Sequence, residues 1–210
     1  MQREQLEHAI RTACQITGTQ RVIIVGSQSI LGTYLEEQLP PEATMSMEVD
    51  VLPEGATDAE IEQLADKVEG IAGEMSMFHQ THGFYIDGVD LSTCILPAGW
   101  RERLVEVRNA NTAAPGTNGL MFTGLCLDKE DLCVAKLCAL REKDMNFVRA
   151  LLDAGIVDAE VIAGRLRTVE NGRVARRAQE WLRSTTNGKA ASMLPGFQAS
   201  SRVSNRRPID

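Results

Sequence analysis

Glu48 and Asp50 stand two positions apart in the segment 45–52, where apolar and polar residues alternate. In such alternation Met45, Met47, Val49 and Val51 point one way, and Ser46, Glu48 and Asp50 the other. The spacing predicts a half-buried strand with both carboxylates on one face, their Cα atoms roughly 6.5–7 Å apart. Like charges that close repel unless a cation lies between them. Carboxylate oxygens are hard ligands suited to Mg²⁺ or Mn²⁺. Such an ion neutralises phosphate charge and aligns the attacking and leaving oxygens of a phosphoryl or nucleotidyl transfer. By itself an acid-x-acid pair is more often the polar outer face of an edge strand.

Upstream, Gly26-Ser27 follows the β-branched run 21–25 and precedes an apolar stripe of Ile30, Leu31, Tyr34, Leu35 and Leu39, closed by Pro40-Pro41. That order predicts a buried strand, a turn and a helix. Glycine permits close backbone approach. Ser27 would cap the helix while its hydroxyl and the nearby N–H groups bind a phosphate; a plain strand–helix turn has the same composition. Further on, residues 128–155 predict one long helix lined by Leu132, Leu137, Leu140, Phe147, Val148, Leu151 and Leu152. Lys136, Leu140 and Asp144 then fall at i, i+4 and i+8 on its apolar side. A lysine and an aspartate there are costly unless paired or used. Arg141 is placed to pair with Asp144 or to reach a phosphate, and a structural ion pair joining helix to sheet would explain the same residues.

The order of strand, Gly-Ser, helix and strand with alternating acids resembles the DNA polymerase beta nucleotidyltransferase superfamily. The pieces VIIVGSQSIL, SMEVDVLP, YIDGVD, LPAGWRERLV and DLCVAKLCALREKDMNFVRALLDAGIV extend the likeness over about 21–166. They are similar to a bacterial nucleotidyltransferase family related to the abortive-infection nucleotidyltransferase toxins of toxin–antitoxin systems. The resemblance implies an α+β fold: a polymerase-beta-like mixed sheet with flanking helices, followed by a C-terminal helical part. It implies Mg²⁺ (or Mn²⁺) on Glu48 and Asp50, and an NTP held near Gly26, Ser27, Lys136 and Arg141. It makes Glu48, Asp50, Lys136 and Asp144 the catalytic set, with Lys136 on a nucleotide phosphate and Asp144 orienting it or moving a proton. Enzymes of this superfamily usually add a third carboxylate from a neighbouring strand. Asp87, Asp90 and Glu106 are the candidates, and their spacing does not choose among them. The expected reaction moves an NMP from an NTP to a hydroxyl acceptor, with tRNA, a protein or a small molecule as candidates. A toxin role and an antitoxin partner follow from the kinship alone. The alternative is a non-catalytic nucleotide-binding or partner-binding module of the same fold.

The elements that must position these residues divide the chain into a nucleotidyltransferase core over 1–126, a helical part over 127–185 and a flexible tail over 186–210. A helix is expected over 2–17 and another after Thr57, whose spacing to Glu60 suits a capping box. Strand-like pieces are expected at 83–89, 93–96, 104–107 and 120–122. Net charge is −7, from 12 Lys+Arg against 25 Asp+Glu in 1–159 (−13) and 10 against 4 in 160–210 (+6). Such a basic end either meets a polyanion, which favours an RNA acceptor, or docks on the acidic body. No apolar run approaches the roughly 20 residues of a membrane helix, and the charged, amphipathic start is unlike a secretory signal, so a cytoplasmic protein without membrane partners is expected. The five cysteines form no CxxC pair and read as reduced core residues. Three histidines in all, with only His79 and His82 near each other, argue against a zinc site. Trp100-Arg101-x-Arg103 suits either a substrate contact or a packed loop anchor.

Overall fold

The computed structural model describes residues 1–116 and 118–192. Helix α1 (Arg3–Thr17) buries Leu6, Ala9, Ile10, Ala13 and Cys14, the stripe that a 3.6-residue period requires, and Gly18 ends it with φ 75°. Five strands follow: β1 (Arg21–Ile24), β2 (Glu48–Pro53), β3 (Tyr85–Gly88), β4 (Val105–Val107) and β5 (Thr123–Cys126). They form one sheet in the order β3-β2-β1-β5-β4. β1 pairs with β2 and β4 with β5 in antiparallel fashion, while β1–β5 and β2–β3 are parallel. The fold is α+β with a mixed sheet, as expected.

Helix α1 and helix α3 (Asp58–Ala72) lie against this sheet. Two glycines admit them: a Cβ on Gly124 would come within 2.3 Å of Ile10, and one on Gly88 within 2.0 Å of the Ala65 carbonyl oxygen. Half of the capping box expected at Thr57 forms, with Glu60 N donating to Thr57 Oγ1 at 3.2 Å, while the Glu60 carboxylate accepts from Ala56 N at 2.7 Å instead of from Thr57 N. From residue 129 the chain is helical: α5 (Lys129–Ala139), α6 (Glu142–Asp153), α7 (Ala159–Leu166) and α8 (Gly172–Ser192). Helix α5 packs against the other three.

Several local expectations are corrected. The stripe after Ser27 is not one helix but two 3-10 turns, Ser27–Gly32 and Glu36–Gln38. The first lies so close to the sheet that a Cβ on Gly32 would sit 2.5 Å from the Cys126 Cβ, and i→i+3 bonds such as Ser29 N to Gly26 O hold it tight. Pro41 does not end a helix; it starts α2 (Pro41–Thr44), where its missing N–H costs nothing. Strand β2 begins only at Glu48, and Met45 and Met47 are exposed at 75% and 56% instead of facing the core. Residues 93–96 form no strand, and 120–122 contribute only the Ala113–Met121 bridge before β5. Helix α4 (Met77–His82) was not foreseen. The long helix breaks at Leu140, which has φ 52° and donates its N–H to Lys136 O, a C-terminal cap on a non-glycine residue. The expected tail at 186–210 is helical as far as Ser192, and 193–210 lies outside the described residues.

Helix α1 is tied to the segment before β5 by a buried acid. Glu7 is 4% exposed. It accepts hydrogen bonds from Arg3 Nε at 3.1 Å, Asn109 Nδ2 at 2.7 Å and Asn111 Nδ2 at 2.8 Å. Burial acts to raise its pKa, but the three donors outweigh it and leave it lowered. A lowered carboxylate pKa contributes stability above the unfolded value of about 4.3, and that contribution is lost as pH falls through the folded value. Glu7→Gln is therefore expected to cost about 1–2 kcal/mol at pH 7. Urea denaturation should show the gap to wild type closing below about pH 4.

Candidate active site

Strand β2 presents Glu48 and Asp50 on one face, and the parallel β2–β3 register sets Asp87 beside Asp50. One carboxylate oxygen from each of the three lies within 4.8 Å of the others. Of the other two candidates, Asp90 follows β3 and accepts from Ser92 N at 2.6 Å. Glu106 lies on β4, at the opposite edge of the sheet from β3. Of the three, Asp87 is thus the one that stands with Glu48 and Asp50. Among the described residues no other group of three His, Cys, Asp or Glu comes together in this way, and the histidines build none.

The turn at Gly26 is fitted to Asp50. Gly26 has φ −83° and ψ −170°, a conformation open to any residue, so proximity and not backbone freedom demands glycine. A Cβ there would lie 1.5 Å from Asp50 Oδ2, inside the atom itself. Gly26, not Ser27, is the N-cap residue, and no side chain caps the turn. Ser27 instead lines the cavity beside the acids. Gly26→Ala must displace the Asp50 carboxylate. It is expected to cost about 1–3 kcal/mol, read by thermal melting, and to weaken Mn²⁺ binding, read by paramagnetic relaxation of water.

The carboxylates are electrostatically unsettled. Burial raises the pKa of each, and their mutual repulsion adds to it: Asp87 acts on Glu48, Glu48 on Asp50 and Asp50 on Asp87. Lys136 and Lys143 oppose the shift at Glu48 and Asp50 without cancelling it. Three hard oxygen donors with unrelieved negative charge fit a divalent cation.

Residues 4–182 match the family described as "Nucleotidyltransferase of unknown function (DUF6036)". The chain belongs to that family. No curated protein and no solved structure matches it.

In this member of the nucleotidyltransferase family Glu48 and Asp50 line a cavity of about 550 Å³. Lys136, Arg141, Lys143, Asp144, Asn146 and Phe147 line the same cavity. The break at Leu140 removes the i, i+4, i+8 argument, yet the residues still meet: Lys136 Nζ lies 3.2 Å from Asp144 Oδ1 across the kink. Arg141 Nε donates to Asp144 Oδ2 at 2.5 Å and Nη2 to Oδ1 at 3.4 Å. Asp144 is 1% exposed, so both cations are anchored on a buried carboxylate. Burial works to raise the Asp144 pKa, but Arg141 and Lys136 together pull it below the ordinary value. Asp144 has its oxygens committed and holds the two cations in place, which suits the orienting role better than proton transfer. Lys143 was missed in the sequence because a single helix over 128–155 gave no reason to turn it toward the acids.

The Trp100 loop is an anchor. Arg103 makes a two-pronged contact with buried Asp131, at 2.8 and 3.0 Å, and Arg165 reaches the same carboxylate at 3.0 Å. Trp100 packs partly buried against the core, with the Arg101 guanidinium 4.5 Å from its ring centroid. All five cysteines are free, and four are buried.

Proposed function

We propose that this chain is a metal-dependent nucleotidyltransferase that moves an NMP from an NTP to a hydroxyl acceptor. The observation that carries it is the cluster of Glu48, Asp50 and Asp87, two of whose members line one cavity together with Lys136, Arg141 and Lys143. Glu48, Asp50 and Asp87 would hold Mg²⁺ or Mn²⁺. A bound ion would neutralise phosphate charge and lower the pKa of a coordinated hydroxyl. Lys136 and Arg141, fixed by Asp144, take the outer phosphates and stabilise the leaving pyrophosphate. Gly26 and Ser27 bring backbone and hydroxyl donors close to the same space. Asp87 completes the acid set that the non-catalytic alternative would lack, and so favours catalysis. The division into a core over 1–126 and a helical part over 127–185 belongs to the same reading. Likeness to the abortive-infection toxins supports an RNA acceptor such as tRNA, a toxin role restrained by an antitoxin, and a cytoplasmic setting. No helix of the described residues is long and apolar enough to cross a membrane.

The test is incubation with labelled NTPs, Mg²⁺ and total tRNA. Label transfer with pyrophosphate release is expected, and NTP binding without any release would move the chain to the binding-module reading. The metal should bind weakly alone and clearly tighter with NTP, because Mg²⁺ relies on substrate phosphates to fill its shell. Calorimetry showing equal, tight Mg²⁺ binding without NTP would contradict this.

A further inference from the structure

Arginines of α8 stay exposed instead of docking on the acidic body. Arg173, Arg176, Arg177 and Arg183 are exposed, and none joins an ion pair among the described residues. Glu180 is the single acid in 172–187. Four arginines against one acid produce a positive field that the acidic body over 1–159 would channel.

A chain of contacts joins this helix to the cavity. Asn146 on α6 lines the cavity and accepts from Arg149 Nη1 at 3.1 Å. The Arg149 guanidinium in turn lies 5.6 Å from the ring centroid of half-buried Trp181 on α8. Arg177 and Arg173 precede Trp181 by four and eight residues, so they follow it along the same side of the helix. Lys143, also exposed, stands one turn before Asn146 on α6.

We infer that the track from Lys143 and Asn146 through Arg149 and Trp181 to Arg177 and Arg173 docks a single-stranded polynucleotide whose terminal hydroxyl enters the cavity. The cations neutralise successive phosphates, and the Arg149–Trp181 tier offers flat faces on which an unpaired base stacks. Negative charge over the rest of the body repels the strand and confines it to this track. The role of the strand's end as acceptor rests on the transferase reading above; the docking itself does not.

The experiment uses the full chain in EDTA, with fluorescence anisotropy of 5′-labelled single-stranded RNA and DNA oligonucleotides against salt. Wild type is compared with the double variant Arg173→Gln/Arg177→Gln, whose positions are exposed and outside the cavity. Single-strand binding loses about 0.7 of its log–log salt slope per phosphate contact removed, so the slope should become shallower by about 1.4. At about 0.1 M salt the double variant should bind roughly 10- to 30-fold more weakly. Mg²⁺–NTP binding should be unchanged. Binding of either polynucleotide in this pattern supports the track, and a preference between them names the source. No binding by wild type, or equal affinity and slope in the variant, would overturn it. So would variant-sensitive binding to anionic lipid vesicles that neither strand competes away. Normal strand docking with no NTP binding would remove the transferase reading and leave the track standing.

Discussion

Asp50→Asn is expected to reduce nucleotidyl transfer by a factor on the order of 10³ or more while leaving the melting temperature level or higher. On the proposed function the loss follows from removing a charge that would hold the cation, an effect worth several kcal/mol of transition-state stabilisation, with each 1.36 kcal/mol a factor of ten. The stability gain has a separate origin. Burial and the Glu48 charge raise the Asp50 pKa, so the folded, metal-free chain binds protons that the unfolded chain has released. A raised carboxylate pKa costs stability as pH climbs from the unfolded value of about 4 through the folded value. The EDTA-treated wild type should therefore lose stability, as pH rises above about 4, relative to Asp50→Asn, which removes part of the repulsion but barely changes shape. Added Mg²⁺ should narrow the gap by stabilising wild type more. The side chain fits: asparagine occupies the space above Gly26 that the carboxylate occupies now. A marked fall in melting temperature for Asp50→Asn would make the acid a structural element and remove it from the metal site.

Lys136→Met should weaken NTP binding ten- to a hundredfold, the worth of about 1.5–3 kcal/mol for a charge-assisted hydrogen bond. Methionine keeps the apolar stem against Phe147, whose ring centroid lies 5.7 Å from Lys136 Nζ, and removes only the charge. Asp144 keeps Arg141 as a partner, so the stability cost stays modest. Asp144→Asn is different in kind. It releases Lys136 and Arg141 together, so melting should fall clearly, and transfer should suffer more than nucleotide affinity because both cations lose their fixed positions. Calorimetry with NTP and thermal melting on the same two variants separates this from a purely structural pair. Unchanged affinity in a well-folded Lys136→Met would end its assignment to nucleotide binding.

The sequence by itself determined the parts of the site that local periodicity controls. Glu48 and Asp50 share a face because side chains on a strand alternate with period two, and that holds wherever the strand is placed. Gly-Ser after a β-branched run marked the turn, although the sequence did not reveal that Gly26 is demanded by Asp50, 24 positions away. The α1 stripe and the Thr57 cap are equally local. Tertiary structure alone chose the carboxylate that stands with Glu48 and Asp50. Asp87, Asp90 and Glu106 are equivalent as residue types; the pairing of β2 with β3 in one register, and the placement of β4 at the far edge, separate them. Hydrophobic periodicity also could not show the break at Leu140, since leucines continue on both sides of it and a left-handed residue there is stabilised by packing, not by propensity. The ion pair at Lys136 and Asp144 survived that error because folding α6 back across α5 brings together what a straight helix would have kept two turns apart. Register and chain reversal depend on contacts between segments distant in sequence, and a pattern read along one segment carries no record of them.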